Sequence, residues 1–464
     1  MEDGFKEERA RDVGCLSSGH GPQLNQHQAP SELISEAHWL TKRCSGLPDR
    51  VGEKIESGIS DLTTTLRIPT RNKSHHDVSI ASFSSGHHLI MEPGPLRSGI
   101  VALCVTLGVP ALLYITALSA MIAVPSLQVH AIYLHKVTLT WFKDLNVPEQ
   151  FGFAHHQATP FYIPTPDEDM LHAWHVLPPG AYLDNQPALL AQGPDGGLVD
   201  GFEGTLNFKL LKENPEARLV LYFHGTSGTM ASGWRPDSYR SIYATDPVNT
   251  HILTFDYRGY GKSTGRPSEP GLTTDARVIA DWALNTAGIP PKRIVIYGQS
   301  LGSAVATALV HGFITEREPP IHFAGLVVTA TFSDVAQLTA TYRIGGVIPV
   351  LSPIAKIKPL FNFFSSRLIS TWDNMGRLKE IVGKAERYDI TFLHAEDDSD
   401  IPVDHSIRLF REAVRVAART KAADVGDEGS LADRLEKKRE SRGEGGSVIT
   451  WPTGKGDIRL EILK

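Results

Sequence analysis

The sequence predicts an α/β fold, in which a mainly parallel β-sheet carries helices on both faces. Stretches typical of strands alternate with helical stretches between residues 218 and 331, as expected when parallel strands are joined by helices. These strands are almost continuously apolar, which is typical of strands that are covered on both sides. The chain of 464 residues, 41% hydrophobic and 21% charged, is long enough to bury such a core.

Residues 1–90 are rich in Ser, Gly, His and charged residues and lack apolar periodicity, which predicts a disordered N-terminal tail. Histidine pairs at His75–His76 and His87–His88 have no Cys or acidic residue at ligand spacing, so a solvated tail is favoured over a metal site. The whole chain carries neither a dinucleotide fingerprint nor a phosphate loop, and we predict no metal and no cofactor. A net charge of −6 without a basic stripe gives no reason to expect a nucleic-acid partner.

Residues 98–126 are predicted to form one transmembrane helix. The stretch from residue 98 to residue 135 contains no Asp, Glu, Lys or Arg, and its apolar centre exceeds the roughly 20 residues that cross a bilayer. A buried core helix is the alternative, although such helices are usually shorter and amphipathic. The few flanking basic residues do not set the orientation. If translation began at Met91, this segment would be an N-terminal signal anchor.

Residues 130–464 are predicted to form the globular domain. It begins with two short strands around a turn at "TPDED" and ends with a strand hairpin that turns at "TGKG". Between them we predict, in order, strand 218–225, helix 235–244, strand 251–259, helix 272–287, strand 293–298, helix 301–312, strand 324–331, strand 388–402 and a helix near 404–417.

Two segments depart from this alternation of strands and helices. Residues 339–380 are aromatic and interrupted by proline, which favours a cap inserted over a site, with an ordinary helical connection as the alternative. Residues 420–446 mix both signs of charge and are expected to be a solvated insertion.

Ser300 lies in the pattern Gly298-Gln299-Ser300-Leu301-Gly302, between a predicted strand and a predicted helix. A serine hydroxyl is a poor nucleophile unless a base takes its proton and the developing oxyanion is stabilised. Flanking glycines permit the tight strand-to-helix turn that exposes such a hydroxyl at the carboxyl edge of a sheet. Ser300 is therefore the predicted nucleophile, and the alternative is a serine that caps the helix beside glycines needed for packing.

Two backbone amides are candidates for the oxyanion hole. One belongs to Leu301, the residue after the nucleophile, and the other to Thr226 in the loop "FHGTSGT" at 223–229. A glycine turn without a catalytic part is the alternative for this loop. His224 is expected to brace the loop rather than to act as the base.

The acid of a serine hydrolase is expected at the end of a later strand, and "LHAEDDSDIP" lies there. Asp398, in the spacing Asp-x-x-Ile-Pro, is the preferred acid, with Asp397 as the alternative and Asp400 as a third candidate. Any of the three could instead cap the helix that follows.

Together, "HGTSGT", "FDYRGYGKSTGRPSEPGLTTDA", "YGQSLGSAVAT" and "LHAEDDSDIPVDHS" resemble the membrane-anchored α/β-hydrolases of the alpha/beta-hydrolase domain-containing protein 12 group, lysophosphatidylserine and monoacylglycerol lipases, and their fungal relatives. The resemblance covers about residues 130–410. It implies an α/β-hydrolase fold with Ser300 as nucleophile, Asp398 as acid, and Thr226 and Leu301 at the oxyanion hole. It also implies a lysophospholipid or monoacylglycerol ester as substrate, and a single span that holds the catalytic domain at the luminal face of the endoplasmic reticulum.

The segment "DYRGYGKS" is a further feature of this family, and we interpret it as structural. Asp256 and Arg258 are expected to fix the loop that follows their strand.

The histidine of the catalytic triad is where this sequence departs from the family pattern. In the family it follows the last strand, whereas the only histidine after Asp398 is His405, near the start of a predicted helix. We expect His405 to be a surface helix residue rather than a substitute base. The chain stops at Lys464, directly after a strand-like segment, so its C-terminal end is expected to be truncated. Without a base it would be nearly inactive, because single triad losses cost on the order of 10⁴ to 10⁶-fold in rate.

The leading functional prediction is a membrane-anchored serine hydrolase that cleaves lipid esters. Two alternatives stay open from the residues alone. One is a serine hydrolase for a non-lipid ester or a peptide, which no motif excludes. The other is a non-catalytic anchored pseudoenzyme that serves as an interaction module, which the missing histidine favours.

Overall fold

The computed structural model describes residues 95–193, 197–344, 348–420 and 428–464. The predicted disordered tail at 1–90, with its histidine pairs, lies outside the described residues. Residues 421–427 of the predicted charged insertion also lie outside them.

A sheet of ten strands forms the centre of the described domain. In chain order the strands are β1 (Ala158–Pro164), β2 (Met170–Val176), β3 (Arg218–Phe223), β4 (Thr250–Phe255), β5 (Ile294–Gln299), β6 (Gly325–Thr329), β7 (Arg343–Ile344), β8 (Ile348–Pro349), β9 (Ile390–Ala395), β10 (Arg439–Arg442), β11 (Gly446–Pro452) and β12 (Asp457–Leu463). The short strands β7 and β8 pair with each other, and the other ten lie in the order β1-β2-β4-β3-β5-β6-β9-β12-β11-β10.

The central strands of the sheet, from β4 to β12, run parallel. At one edge β1 and β2 join antiparallel, and at the other edge β11 and β10 do the same. The predicted α/β fold with a mainly parallel sheet is therefore confirmed. The two predicted terminal features, the pair of strands around "TPDED" and the final hairpin, are also present.

Helices cover the sheet on both faces. In chain order they are α1 (Pro95–Ala123), α2 (Pro125–Tyr133), α3 (Pro179–Leu190), α4 (Leu206–Lys212), α5 (Arg235–Tyr243), α6 (Glu269–Asp281), α7 (Leu301–Thr315), α8 (Val335–Thr341), α9 (Ser352–Ala355), α10 (Lys358–Ser365), α11 (Asn374–Lys384), α12 (Asp404–Thr420) and α13 (Glu428–Lys437). Successive side chains of a strand point to opposite faces, so β3 sends Leu219 and Leu221 into one core and Val220 and Tyr222 into another. The first core also contains α6, α7, α11 and α12, and the second contains α5.

Helix α1 is long and apolar enough to cross a membrane between Cys104 and Ala123. The alternative of a buried core helix does not hold, because most large apolar side chains of this helix, such as Leu107 and Leu112, are exposed, and Leu118 is an exception. The predicted span at 98–126 is displaced by three residues, since α1 runs from Pro95 to Ala123 and α2 starts at Pro125. Pro125 occupies the first turn of α2, where the missing backbone N–H would have no partner within the helix.

The predicted cap at 339–380 ends earlier than the sequence suggested. Residues from Asn374 onward form α11, which starts with a side-chain cap from Asp373 and buries Leu378 and Ile381 in the main core. The preceding helices α9 and α10 instead pack against α1, in a small cluster around Leu118.

The described side chains of the predicted solvated insertion at 420–446 are mostly exposed, but two of them, Leu431 and Leu435, are buried. Helix α13 buries Leu431 and Leu435 in the main core, because its apolar residues lie one turn apart on a single face. Strand β10 extends the sheet by pairing with β11, although its own residues are exposed, as their charges would suggest.

Candidate active site

Ser300 lies on the turn between β5 and α7, where the pattern around it predicts a nucleophile elbow. Its backbone has φ 51° and ψ −119°, a strained conformation for a residue that carries a Cβ. Two glycines allow this turn: a Cβ on Gly298 would lie 2.3 Å from the carbonyl oxygen of Gly302, and one on Gly302 would lie 2.0 Å from that of Phe223. The Ser300 amide donates to the Thr329 carbonyl of β6 at 2.9 Å, which fixes the turn on the sheet.

The Ser300 side chain is half-buried and faces the loop at 223–229, called the oxyanion loop below. It makes no capping hydrogen bond to α7, so the alternative of a helix-capping serine does not hold. A Cβ built on Gly225 would lie 3.3 Å from Ser300 Cβ and 3.8 Å from Ser300 Oγ. The loop therefore passes directly beside the hydroxyl.

The backbone amides of Thr226 and Leu301 have no hydrogen-bond acceptor within the described part of the chain. Leu301 occupies the first position of α7, where amides lack a partner within the helix and carry partial positive charge. Thr226 follows Gly225, which lies beside Ser300. Two unpaired N–H groups beside a serine hydroxyl are suited to bind a developing oxyanion.

Arg235, the first residue of α5, binds the carbonyl side of the oxyanion loop. Its Nη2 donates to the carbonyl oxygens of Gly225 at 3.1 Å, Thr226 at 3.2 Å and Ser227 at 2.8 Å, and its Nη1 donates to that of Thr229. The side chain is buried, and none of the described carboxylates forms an ion pair with it.

The orientation of the Thr226 amide follows from this contact. The Gly225 carbonyl and the Thr226 N–H belong to one trans peptide unit and point in opposite directions. Because Arg235 holds the Gly225 carbonyl, the Thr226 N–H is turned away from Arg235. Sequence reasoning missed Arg235, since an arginine at the start of a helix carries no motif, and its only signal is its position just after a glycine-rich loop.

His224 is fully buried beneath the oxyanion loop. Its Nδ1 donates to the Gly225 carbonyl oxygen at 2.8 Å, and its Nε2 lies 3.5 Å from Asp256 Oδ1. Burial lowers the pKa of His224, and the positive charge of Arg235 lowers it further. These contacts fit a brace for the loop, with both ring nitrogens directed at groups other than Ser300.

Arg258 fixes the loop after β4, as the sequence predicts. Its backbone amide and Nε donate to the two carboxylate oxygens of Asp275 at 2.9 Å and 2.8 Å, and its Nη1 donates to Asp167 at 2.6 Å. Burial raises the pKa of Asp275 to about 6 in spite of these contacts. Asp256 also contacts a segment outside its own loop, which the sequence did not predict. Its Oδ1 accepts the Met230 amide at 2.6 Å and so anchors the end of the oxyanion loop.

Asp398 follows β9 and is half-buried. Its Oδ1 accepts the amides of Asp400 at 2.9 Å and Ile401 at 2.8 Å, and its Oδ2 lies 3.6 Å from His394 Nε2. Burial would raise the pKa of Asp398, but the imidazole of His394 and the two amides outweigh it and hold the pKa below its usual value. The side chains of the alternatives Asp397 and Asp400 are exposed.

Ser300 and Asp398 share one edge of the sheet. They follow the carboxyl ends of β5 and β9, which are parallel and separated by β6 alone. At the usual strand spacing the two strand axes are about 10 Å apart, a separation that an interposed imidazole could span.

The expectation that His405 lies at the surface is wrong. The side chain is only 3% exposed, its Nδ1 accepts the Ser333 amide at 3.4 Å, and its Nε2 donates to Thr341 Oγ1 at 3.1 Å. The first turn of α12 is buried because α8 and the loop before it cover it. Burial lowers the pKa of His405 to about 4, and the charge of Arg408 contributes. Within the described residues no histidine is hydrogen-bonded to Ser300 Oγ.

The residues gathered at this edge support acyl transfer through a serine. They are a strained serine, two free amides and an ionised carboxylate. Within the described ranges no group of three or more His, Cys, Asp or Glu side chains is arranged to hold a metal ion.

This chain is similar in sequence to a known protein family and to several named proteins. Residues 220–436 match the sequence model of the alpha/beta hydrolase family. Lysophosphatidylserine lipase ABHD12 from Gallus gallus is 30% identical over 290 residues, which cover 62% of this chain and 67% of that protein. The same lipase from Danio rerio is 28% identical over 298 residues, covering 64% of this chain and 68% of that protein. Protein bem46 from Schizosaccharomyces pombe is 30% identical over 203 residues, which cover 43% of this chain and 58% of that protein.

These similarities confirm the resemblance predicted from the motifs. The match spans about two thirds of the length of the two lipases. The region that matches the family model contains Ser300, Arg235 and Asp398, together with most of the parallel sheet. The chain belongs to the alpha/beta hydrolase family, in the group that contains the lysophosphatidylserine lipase ABHD12.

Proposed function

We propose that this protein is a membrane-anchored serine hydrolase that cleaves carboxylic esters of lipids. The observation that carries the proposal is Ser300 itself, which sits on a strained turn beside the amides of Thr226 and Leu301. Strain at a non-glycine residue persists where the surrounding structure imposes it, and such residues cluster at active sites. Two amides without acceptors at the same point supply the charge stabilisation that ester cleavage requires.

The proposed reaction proceeds through an acyl-enzyme. Ser300 Oγ attacks the ester carbonyl carbon and loses its proton to a base, and the carbonyl oxygen becomes an oxyanion bound by the two amides. Collapse of this intermediate releases the alcohol, which takes the proton back, and leaves the acyl group on Ser300. Water then repeats the same steps to release the fatty acid. Asp398 is the group that would orient the base, and we assign the base itself to none of the described residues.

A lipid substrate is supported by the relatives and by the apolar cluster where α10 meets α1. Two of the related proteins are named as lysophosphatidylserine lipases. In this chain Phe361 and Phe364 of α10 pack with Leu118 of α1 in one apolar cluster, and Phe363 beside them is exposed. A lysophospholipid or monoacylglycerol would therefore meet apolar surface where the cap adjoins the proposed membrane helix.

The membrane location is part of the same proposal. We propose that α1 spans the membrane once and that the catalytic domain lies at the luminal face of the endoplasmic reticulum. The length, apolar composition and exposure of α1 support the span. The endoplasmic reticulum and the luminal orientation rest on the family resemblance alone.

A second candidate function is an anchored interaction module without catalysis. It is favoured by one observation, that within the described residues no histidine is bonded to Ser300 Oγ. The well-formed surroundings of Ser300 weigh against it, since an oxyanion site has no role in a pure binding module.

One experiment separates these candidates. Full-length protein in detergent micelles would be treated with a fluorophosphonate probe and assayed with lysophosphatidylserine, a monoacylglycerol and a short p-nitrophenyl ester, beside the variant Ser300→Ala. We expect labelling that requires Ser300 and a preference for the lipid esters. Turnover of the short ester alone would favour a non-lipid hydrolase, and absence of both labelling and turnover would favour the interaction module.

A further inference from the structure

We propose that residues 132–138, called the connector, form a positioning segment of the oxyanion hole, so that the chain leaving the membrane helix sets the catalytic geometry. The connector begins in the last turn of α2, directly after α1. This inference rests on the proposed function, because it assigns a role in the reaction of Ser300.

The connector accepts hydrogen bonds from consecutive residues of the oxyanion loop. Thr226 Oγ1 donates to the Ile132 carbonyl oxygen at 3.0 Å. The Ser227 amide donates to that of Tyr133 at 3.2 Å. Two further contacts extend the pairing: the Gly228 amide donates to the Val137 carbonyl at 2.5 Å, and Ser232 Oγ donates to that of Thr138 at 2.6 Å.

These contacts hold a loop that would not keep its shape alone. Ser227 and Gly228 both have positive φ, of 59° and 68°, and at Ser227 this conformation costs on the order of 1 kcal/mol or more. Arg235 binds the carbonyl groups of the loop, while the connector binds the next two amides and the Thr226 hydroxyl. The Thr226 amide, left without an acceptor, is thereby fixed from two sides.

The connector is itself held rigidly in the domain. Tyr133 is fully buried, its carbonyl oxygen also accepts Tyr260 Oη at 2.6 Å, and its own Oη shares a hydrogen bond with Ser370 Oγ at 2.8 Å. Tyr133 therefore contacts three segments: the oxyanion loop, the loop after β4, and the segment between α10 and α11 that contains Ser370. If α2 moved relative to the domain, the main-chain carbonyl groups of the connector would move with it. The position of the Thr226 amide would then change as well.

The test uses variants that remove one donor to the connector and leave the Thr226 amide in place. Thr226→Val deletes the hydroxyl bound to Ile132 while preserving the shape of the side chain, and Thr226→Ser restores the hydroxyl. Tyr260→Phe deletes the bond to the Tyr133 carbonyl. Its matched control is Tyr388→Phe, which deletes a buried hydroxyl bonded to Thr453 before the amino end of β9, away from the sheet edge that carries Ser300.

In full-length protein we expect Thr226→Val and Tyr260→Phe to lower kcat for a short soluble ester by about 10-fold with little change in KM, because an interaction made in the transition state is weakened. Inhibition by an aryl trifluoromethyl ketone, which forms a tetrahedral adduct on serine, should weaken by about the same factor. Thr226→Ser should recover turnover to within about 2-fold, and Tyr388→Phe should lower Tm without lowering kcat.

Wild-type kcat and inhibitor affinity in both loss variants would overturn the inference and leave the proposed function intact. Equal losses of kcat in Tyr260→Phe and Tyr388→Phe would also overturn it, since the effect would then be one of general stability. A wild-type protein that neither hydrolyses esters nor reacts with the probe would instead overturn the proposed function, and this inference with it.

Discussion

The oxyanion side and the acid side of the candidate site are built in different ways. The oxyanion loop is held by Arg235, which follows it along the chain at the start of α5, and by the connector, which binds it across 94 residues of sequence. Asp398 is held mainly by its own turn, because its Oδ1 accepts amides two and three residues further on. One side depends on the packing of distant segments, and the other is a local structure.

Because of this difference, we expect mutations to impair the two sides of the site in different ways. The oxyanion loop has a positive φ at Ser227 and is fixed by the Arg235 donors and the connector carbonyls, so it is sensitive to changes at residues that never contact a substrate. A carboxylate in an Asx-type turn keeps its place as long as the turn forms, so only the chemistry of Asp398 itself should matter. The following predictions test this contrast, from the largest effect to the smallest.

Replacing Ser300, the proposed nucleophile, should have the largest effect on turnover. Two variants distinguish the loss of the hydroxyl group from the relief of backbone strain. Ser300→Ala and Ser300→Gly should both lower kcat by about 10⁴-fold or more, because the attacking hydroxyl is lost. Only Ser300→Gly should gain stability, by about 1 kcal/mol, because glycine adopts φ 51° and ψ −119° without the strain of a Cβ. Turnover and chemical denaturation of both variants check this, and equal stability of the two would show that the elbow is not strained.

Changing the acid should abolish most activity without disturbing the fold. Asp398→Asn keeps an oxygen that can accept the amides of Asp400 and Ile401, so Tm should change little. Turnover should fall by about 10³ to 10⁴-fold, because the base loses the anion that orients it. Asp397→Asn is the matched control, since Asp397 is exposed, and its turnover should stay within about 2-fold of wild type. If Asp397→Asn lost more turnover than Asp398→Asn, Asp397 would be the acid.

The features that could be predicted from the sequence are those set by local rules. The elbow around Ser300 follows from glycine spacing between a strand and a helix, and the parallel sheet follows from alternating apolar strands. Arg235 could not be predicted, because an arginine at the start of a helix carries no motif. The burial of His405 could not be predicted either, because it depends on Ser333 and Thr341, which lie more than 60 residues away along the chain. The burial of Leu431 and Leu435 in the mostly exposed charged stretch was also not predicted, since these side chains find partners only in the folded core.

Arg235 gives the sharpest test of the oxyanion side. Arg235→Gln should lower kcat by about 10²-fold with KM nearly constant, because the four carbonyls lose their common donor and the Thr226 amide is released. Arg235→Lys keeps the charge but not the fork of donors, and it should recover only part of the loss. Arg240→Gln is the control on the same helix, because Arg240 binds Asp237 and the Phe151 carbonyl instead. If Arg240→Gln lost as much kcat as Arg235→Gln, the effect would belong to α5 as a whole.

His405 should contribute to stability against acid rather than to turnover. Its pKa is lowered to about 4, first by burial and then by Arg408 and His394, with Asp404 acting in the opposite direction. In the unfolded chain the pKa returns to about 6.5, so between these values only the unfolded state binds the proton. Stability is therefore present above pH 6.5 and is lost as the pH falls toward 4, at about 1.4 kcal/mol per pH unit for this one group.

The variant His405→Gln should reduce that dependence on pH. A glutamine can accept the Ser333 amide and donate to Thr341, so the fold should survive, while the titrating group is removed. We expect the free energy of unfolding to fall less steeply between pH 6 and pH 5 than in wild type, by about 1 kcal/mol per pH unit. Turnover at pH 7 should be nearly unchanged. Loss of turnover by several orders of magnitude would instead make His405 the catalytic base, and the acid side would then depend on distant packing as much as the oxyanion side does.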